Sequence, residues 1–340
     1  MAMNEVVPER YLTPYKTGRA ILPPSGRKGM FDSECVDIPF VFQHQNRFYM
    51  MYVGYDGHGY QTALAVSDNL LDWESLGVIL GKGEPGRFDS VGSAGTWILK
   101  EDDLNKPPAL RKFRGRYWMV YHAYPRNGYE EGPAEIGLAW TEDENLMDWH
   151  RLDEPIFSWK DGDAWERGGL YKACVVENDG VFSMFYNAKN TETRWTEQIG
   201  LATSEDLVHW TRHKDNPVVR VTSDSWDSQF VSDPFVVRDG SLWVMYYFGY
   251  DLQHAQNGIA FSRNLQEWGK HSCPILRHGH PGDIDDIHAH KASVLMHENV
   301  LYHFYCAARK YQPGDPAKNF GVEFRSISVA TSSPIGSSPR

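Results

Sequence analysis

Four stretches of this chain are variations on one segment. They are Thr62-Ala-Leu-Ala-Val-Ser-Asp-Asn-Leu-Leu-Asp-Trp73, Ile136-Gly-Leu-Ala-Trp-Thr running on to Leu146-Met-Asp-Trp149, Ile199-Gly-Leu-Ala-Thr-Ser-Glu-Asp-Leu-Val-His-Trp210, and Gly258-Ile-Ala-Phe-Ser-Arg-Asn-Leu-Gln-Glu-Trp268. A fifth, Ile327-Ser-Val-Ala-Thr-Ser-Ser333, stops before its tryptophan. Self-similarity at this spacing marks a repeat architecture, in which each unit buries its apolar face against its neighbours.

Each copy follows an alternating aromatic run: Arg47–Val53, Arg116–His122, Val181–Tyr186, Leu242–Tyr247 and Leu301–Tyr305. Period-two alternation rich in Tyr, Phe and Val predicts a strand. Shorter apolar runs precede them at Ile38–Phe42, Thr96–Leu99, Ala173–Val176, Pro234–Val237 and Ala292–Leu295. Turn residues such as Asn178-Asp-Gly180 and Arg238-Asp-Gly240 join the two as hairpins. A last short strand is predicted at Gly77–Leu80, Pro155–Phe157, Pro217–Val219 and Pro274–Leu276. Four strands per unit and five units predict an all-β fold, a five-bladed β-propeller. The fifth unit lacks its last strand, and Arg19-Ala-Ile-Leu-Pro23 is expected to supply it and close the ring, leaving no long free edge. The expected organisation is one domain over residues 1–331, with a disordered tail over 332–340 and a charged insertion at Glu101–Arg114.

The 340 residues carry 34 Lys+Arg against 45 Asp+Glu, a net charge of −11. An acidic chain with no basic block is a poor ligand for nucleic acid or anionic membrane, and no apolar run approaches the roughly 18 residues that span a bilayer. The start of the chain has no secretory pattern, so a cytoplasmic location is expected. Cys35, Cys174, Cys273 and Cys306 form no metal-binding spacing and are expected to be buried, reduced thiols. Oligomeric state is not readable.

The first strands of a propeller line its axis, so polar residues recurring there are the informative ones. Aligning the units gives two layers. One is Asp32, Asp89, Glu166, Asp227 and Asp285; the other is Asp37, Gly95, Lys172, Asp233 and Lys291, with His288 and His290 beside the last. Asp32, Asp89 and Asp227 each precede a Ser and equally suit a turn cap. Asp37 and Asp233 directly precede the apolar first strand, where carboxylates and lysines packed together would shift one another's pKa values as acid–base chemistry requires. Trp97 and Trp165 either stack on a sugar face or pack in the core. Arg167, Lys172, His290 and Lys291 point to an anionic group on the ligand.

The Ala-x-Ser…Leu-x-x-Trp segments, Asp37-Ile-Pro-Phe-Val and Ser232-Asp-Pro-Phe-Val-Val-Arg-Asp-Gly240 resemble the five-bladed propeller glycosidases, above all glycoside hydrolase family 43, with relatives in families 32, 62, 117 and 130. The resemblance implies a glycosidase, exo-acting and inverting, that removes a terminal arabinofuranose-, xylose- or galactose-type sugar. It assigns Asp37 as general base, Asp233 or His290 as general acid, and Glu166 as the supporting acid. Asp32, Asp89, Trp97, Trp165, Arg167, Lys172, Asp227 and Lys291 are the expected substrate contacts. It implies no obligatory cofactor, with an axial cation such as calcium near His288 as an option. Two departures stand out: Asp233 occupies a place where family 43 has Glu, and the Asn-Asp-Pro-Asn signature of family 32 is absent, which argues against a fructosidase. A phosphate-dependent phosphorylase, with Arg167, Lys172 and Lys291 holding the phosphate, and a non-catalytic sugar-binding propeller are the alternatives.

Overall fold

The structure, a computed structural model, describes residues 6–335. It is all-β, with only three short 3-10 turns among the described residues. After β1 (Tyr15–Lys16), the first antiparallel set is β2 (Cys35–His44), β3 (Arg47–Tyr55), β4 (Tyr60–Ser67) and β5 (Glu74–Leu80). The second is β6 (Ala94–Ile98), β7 (Tyr117–Ala123), β8 (Glu135–Thr141) and β9 (His150–Arg151). The third is β10 (Gly169–Asn178), β11 (Val181–Lys189), β12 (Glu197–Ser204) and β13 (Thr211–Arg212), and the fourth β14 (Phe230–Asp239), β15 (Leu242–Tyr250), β16 (Ala255–Ser262) and β17 (Gly269–Lys270). Last come β18 (His288–His297), β19 (Val300–Lys310) and β20 (Glu323–Thr331). The first strands touch in the order β2, β6, β10, β14, β18 and back to β2.

The expected outer strands differ in detail. Two-residue strands follow directly on Trp149, Trp210 and Trp268, while the Pro-containing segments contribute single bridges, Phe157 to Ile136, Val219 to Ile199 and Leu276 to Asn257. Proline has no N–H to give a ladder, which limits pairing there. The chain start repeats this arrangement on β20: β1 pairs with it, and Leu22 bridges Ile327 within the expected Arg19–Pro23 segment. At the other terminus Ser332 exchanges hydrogen bonds with Leu301, and 336–340 of the expected tail lie outside the described residues.

The repeated Leu-x-x-Trp is a turn clip. Leu70, Leu146, Leu207 and Leu265 have φ between 61° and 69°, and the indole N–H of Trp73, Trp149, Trp210 or Trp268 donates to that leucine's carbonyl. A branched residue in the left-handed region is strained; the indole bond and burial of the leucine offset that cost.

Phe40, Trp97 and Phe235, from three different first strands, meet with ring centroids 4.8, 5.0 and 6.3 Å apart. Trp97 is therefore core: it is fully buried and cannot stack on a sugar. Beyond this cluster the 101–114 insertion pairs with both β2 and β14, through Gln43 to Pro108 and Leu104 to Arg238. The opposite ends of the first strands are where the cavity lies.

Candidate active site

Every first strand carries a bulge just before its apolar run. The register skips between Asp37 and Phe40, Gly95 and Trp97, Tyr171 and Ala173, Ser232 and Phe235, and His290 and Ser293. The displaced residues include Ile38, Asp233 and Lys291, with φ of 51°, 52° and 62°. A bulge re-aims side chains. It also corrects the expected alignment: Ile38, not Asp37, is the counterpart of Asp233 and Lys291, and Asp37 matches Ser232.

These bulges edge a cavity of about 1060 Å³ whose lining includes Ile38, His122, Glu130, Lys172, Glu197, Asp233, His290, Lys291 and Arg325. Asp37 lies behind it, 0% exposed. Its Oδ2 accepts from Lys291 Nζ at 2.7 Å and from Arg325 at 3.1 Å, while Oδ1 accepts from the Ile38 N–H at 2.8 Å. Burial opposes ionisation of Asp37, but Lys291, Arg325 and His290 outweigh it and hold the carboxyl far below the usual carboxylate range. Asp37 is not among the residues that line the cavity, and its hydrogen bonds go to protein donors. The expected general base is thus a buried counter-ion.

His290 is also unsuited to the acid role. Burial, then Lys291 and Arg325, push its pKa well down, so the ring is neutral. Its Nδ1 faces the Cys306 carbonyl at 3.2 Å and must donate there, which leaves Nε2 as an acceptor.

The carboxyl that meets the requirement is Glu197, which the sequence reading passed over. It stands at the start of β12, two residues before the third repeat segment. Ser232 Oγ lies 2.8 Å from Glu197 Oε2, which also accepts from Asn187 at 3.3 Å, while Oε1 accepts from the Trp195 indole at 3.3 Å. Burial, with help from the charges of Glu130 and Asp233, raises Glu197 to about 7. The same Ser232 Oγ lies 3.2 Å from Asp233 Oδ1. One hydroxyl proton cannot serve two carboxylates, so the series Glu197–Ser232–Asp233 is complete when one of the two carries a proton. Asp233 is raised as well, chiefly by burial.

A second carboxylate enters from the segment after β7. Glu130 Oε1 is 3.8 Å from Lys291 Nζ and accepts from the Tyr60 hydroxyl at 3.2 Å. Nothing in its neighbours, Tyr129-Glu130-Glu131, marked it in advance. Arg325 completes the wall, bound to Glu323 at 2.8 Å and to the Tyr129 hydroxyl.

The other expected layer does not line the cavity. Asp89 accepts from Tyr121 at 2.8 Å and Arg151 at 2.9 Å, and Glu166 from Tyr186 at 3.0 Å and Arg212 at 2.7 Å. Asp227 does so from Tyr247 at 3.4 Å and Lys270 at 2.5 Å, and Asp285 from Tyr305 at 3.0 Å and Lys16 at 2.6 Å. Each carboxylate pins the loop entering a strand set to that set's second strand and to a cation on its outermost strand. Asp32 instead holds Ser25 at 2.6 Å. The repeat's glycine belongs to this latch, since a Cβ on Gly137 or Gly200 would lie 2.3 or 2.6 Å from Tyr121 or Tyr186. Trp165 stacks on Tyr186 within the Glu166 latch rather than in the cavity. Glu166, Asp32, Asp89 and Asp227 do not line the cavity; their carboxylates are engaged in these latches.

Of the expected cations, Lys172 and Lys291 line the cavity deeply and Arg167 lies exposed at its edge. His288 lines it too, its Nδ1 accepting from the Ala255 N–H at 3.0 Å. Among the described residues no group of three or more His, Cys, Asp or Glu side chains is arranged to hold a metal. Of the four free cysteines, Cys35, Cys174 and Cys306 are buried and Cys273 is exposed, contrary to expectation.

The profile of the Glycosyl hydrolases family 32 N-terminal domain matches residues 100–282. Sucrose-6-phosphate hydrolase of Zymomonas mobilis is 28% identical over 176 residues, 48% of this chain and 32% of the relative; the match therefore spans about a third of that protein's length. A solved structure described as a glycoside hydrolase is 31% identical, with a TM-score of 0.81 over 97% of this chain and 94% of the other. A thermostable family-43 glycoside hydrolase shares the fold at 19% identity, with a TM-score of 0.62 over 90% and 95% of the two chains.

Proposed function

This protein belongs to the Glycosyl hydrolases family 32 N-terminal domain family, and from that premise we propose that it is a glycoside hydrolase removing a terminal sugar by inversion. The observation that carries the reading is the Glu197–Ser232–Asp233 series facing a cavity that also holds Glu130. Hydrolysis requires a protonated carboxyl at the leaving oxygen and a carboxylate for the water. Two carboxyl groups in unlike environments divide these roles. Glu197 donates its proton to the glycosidic oxygen as the bond to the anomeric carbon breaks. Glu130, which faces Lys291 and accepts from the Tyr60 hydroxyl, takes a proton from the attacking water. Asp233 tunes Glu197 through Ser232, and Asp37 fixes Lys291 and Arg325. The catalytic unit is residues 1–331, read as a closed ring of five blades with the chain start completing the last, and the exo mode of action is part of the same reading.

The test is sugar release by wild type and Glu197→Gln from aryl furanosides, pyranosides and oligosaccharides, with and without phosphate, the product anomer followed by NMR. Phosphate-independent release of the inverted anomer, lost in Glu197→Gln, is expected. Strict phosphate dependence would replace the hydrolase by a phosphorylase, and full activity of Glu197→Gln would remove the acid assignment.

A further inference from the structure

Of the two buried lysines among the expected anion contacts, Lys172 is the one with no hydrogen bond to a protein carboxylate, although the charge of Asp233 is felt there. It is 2% exposed, lines the cavity from the bulge of β10, and its Nζ makes no hydrogen bond among the described residues. Lys291 and Arg325, by contrast, are both bound to Asp37. A buried ammonium without a partner is costly unless an opposite charge joins it. His122 stands in the same wall, also 2% exposed, with Nδ1 unpartnered. Burial, then Lys291 and Lys172, drives its pKa down to about 3, so it adds a neutral polar group and no charge. Two buried polar atoms without protein partners in a cavity wall describe the complement of a ligand group.

We propose that the cavity takes a uronic acid, whose carboxylate pairs with Lys172 while a neighbouring hydroxyl meets His122. A single unpaired cation fits a monoanion better than a phosphate dianion, which calls for several donors. A neutral sugar would leave the ammonium with only the charge of Asp233, beyond ion-pair distance, and the weaker effect of Asp37 to balance it. The inference rests on the glycosidase reading of the same site and names its substrate class.

The experiment is calorimetric titration of wild type, Lys172→Met and Lys172→Arg at neutral pH. The probes are D-glucuronate, D-galacturonate and D-mannuronate, each beside its neutral hexose, with inorganic phosphate and glucose 6-phosphate as further arms. The expected result is one acid bound at least tenfold more tightly than its hexose, the preference lost in Lys172→Met and largely kept in Lys172→Arg. Raising salt should weaken that acid on wild type and leave the hexose unchanged, a readout that does not depend on any variant folding. A hexose bound as tightly as its acid, no binding of any uronate, or a Lys172-dependent preference for either phosphate would overturn the proposal. Turnover of the matching aryl uronide is scored separately. Uronate binding without turnover counts against the hydrolase reading alone, and turnover of neutral glycosides without uronate preference counts against this one alone.

Discussion

The Asp37 carboxylate and the Lys291 ammonium, 254 positions apart in the chain, lie 2.7 Å from each other with Asp37 wholly out of water. The pair ties the first strand set to the last, whose first strands β2 and β18 touch, and Arg325 on β20 joins it. Removing one member of a buried pair leaves its partners charged and uncompensated. Asp37→Asn is expected to cost about 3–5 kcal/mol of stability, measured by urea denaturation. An unchanged midpoint would show that the pair contributes little.

Acid should undo the same pair. Asp37 ionises far below an unfolded aspartate, whose pKa is about 3.9, so the unfolded state takes up the proton more readily in that range. The stability it contributes is fully present above about pH 4 and falls as the pH drops further. Wild type should lose stability below about pH 4 more steeply than Asp37→Asn. Parallel curves for the two proteins would contradict this.

Glu197 has the opposite sign. Raised to about 7, it carries its proton in the folded state where an unfolded glutamate has lost it. Activity should therefore decline as the pH rises through about 7, and folding stability should fall over the same approach to neutrality. Glu197→Gln should lower kcat by about 10²–10⁴-fold and erase that alkaline limb on substrates with good leaving groups. A limb that survives the substitution belongs to another group.

The Glu166 latch and the Glu197 site should separate cleanly. Glu166→Ala strands Arg212 and the Tyr186 hydroxyl, and about 3–5 kcal/mol of destabilisation is expected. KM should stay near wild type for the folded fraction. A selective rise in KM at unchanged stability would return Glu166 to the binding site.

Trp97 offers the matching contrast among aromatics. Fully buried against Phe40 and Phe235, it should cost about 3–5 kcal/mol on truncation to Ala. Thermal denaturation would show this. A stable Trp97→Ala with weakened sugar binding would argue for a place in the cavity.

The strand pattern was legible because its signals are local. Alternating Tyr, Phe and Val along Arg47–Val53 or Leu242–Tyr247 declares a half-buried strand, and Arg238-Asp-Gly240 declares the turn beside it. Even the clip built on Leu70 and Trp73 is written in four consecutive residues. The layer of Asp89, Glu166, Asp227 and Asp285 was visible as a repeat too, but not its purpose. The Tyr, Arg and Lys partners come from strands well along the chain, and no spacing announces them.

The sequence by itself determined the repeating four-strand unit and the apolar faces that pack it, since both depend on side-chain period and turn chemistry within a few residues. The tertiary structure alone decided which acids meet the ligand. Side chains alternate sides at every residue of a strand, so the bulge at Ile38-Pro39 is enough to turn Asp37 away from the cavity. Glu130 and Glu197 reach that cavity from separate strand sets, and only the packing of one set against the next brings them together and sets the burial that raises Glu197.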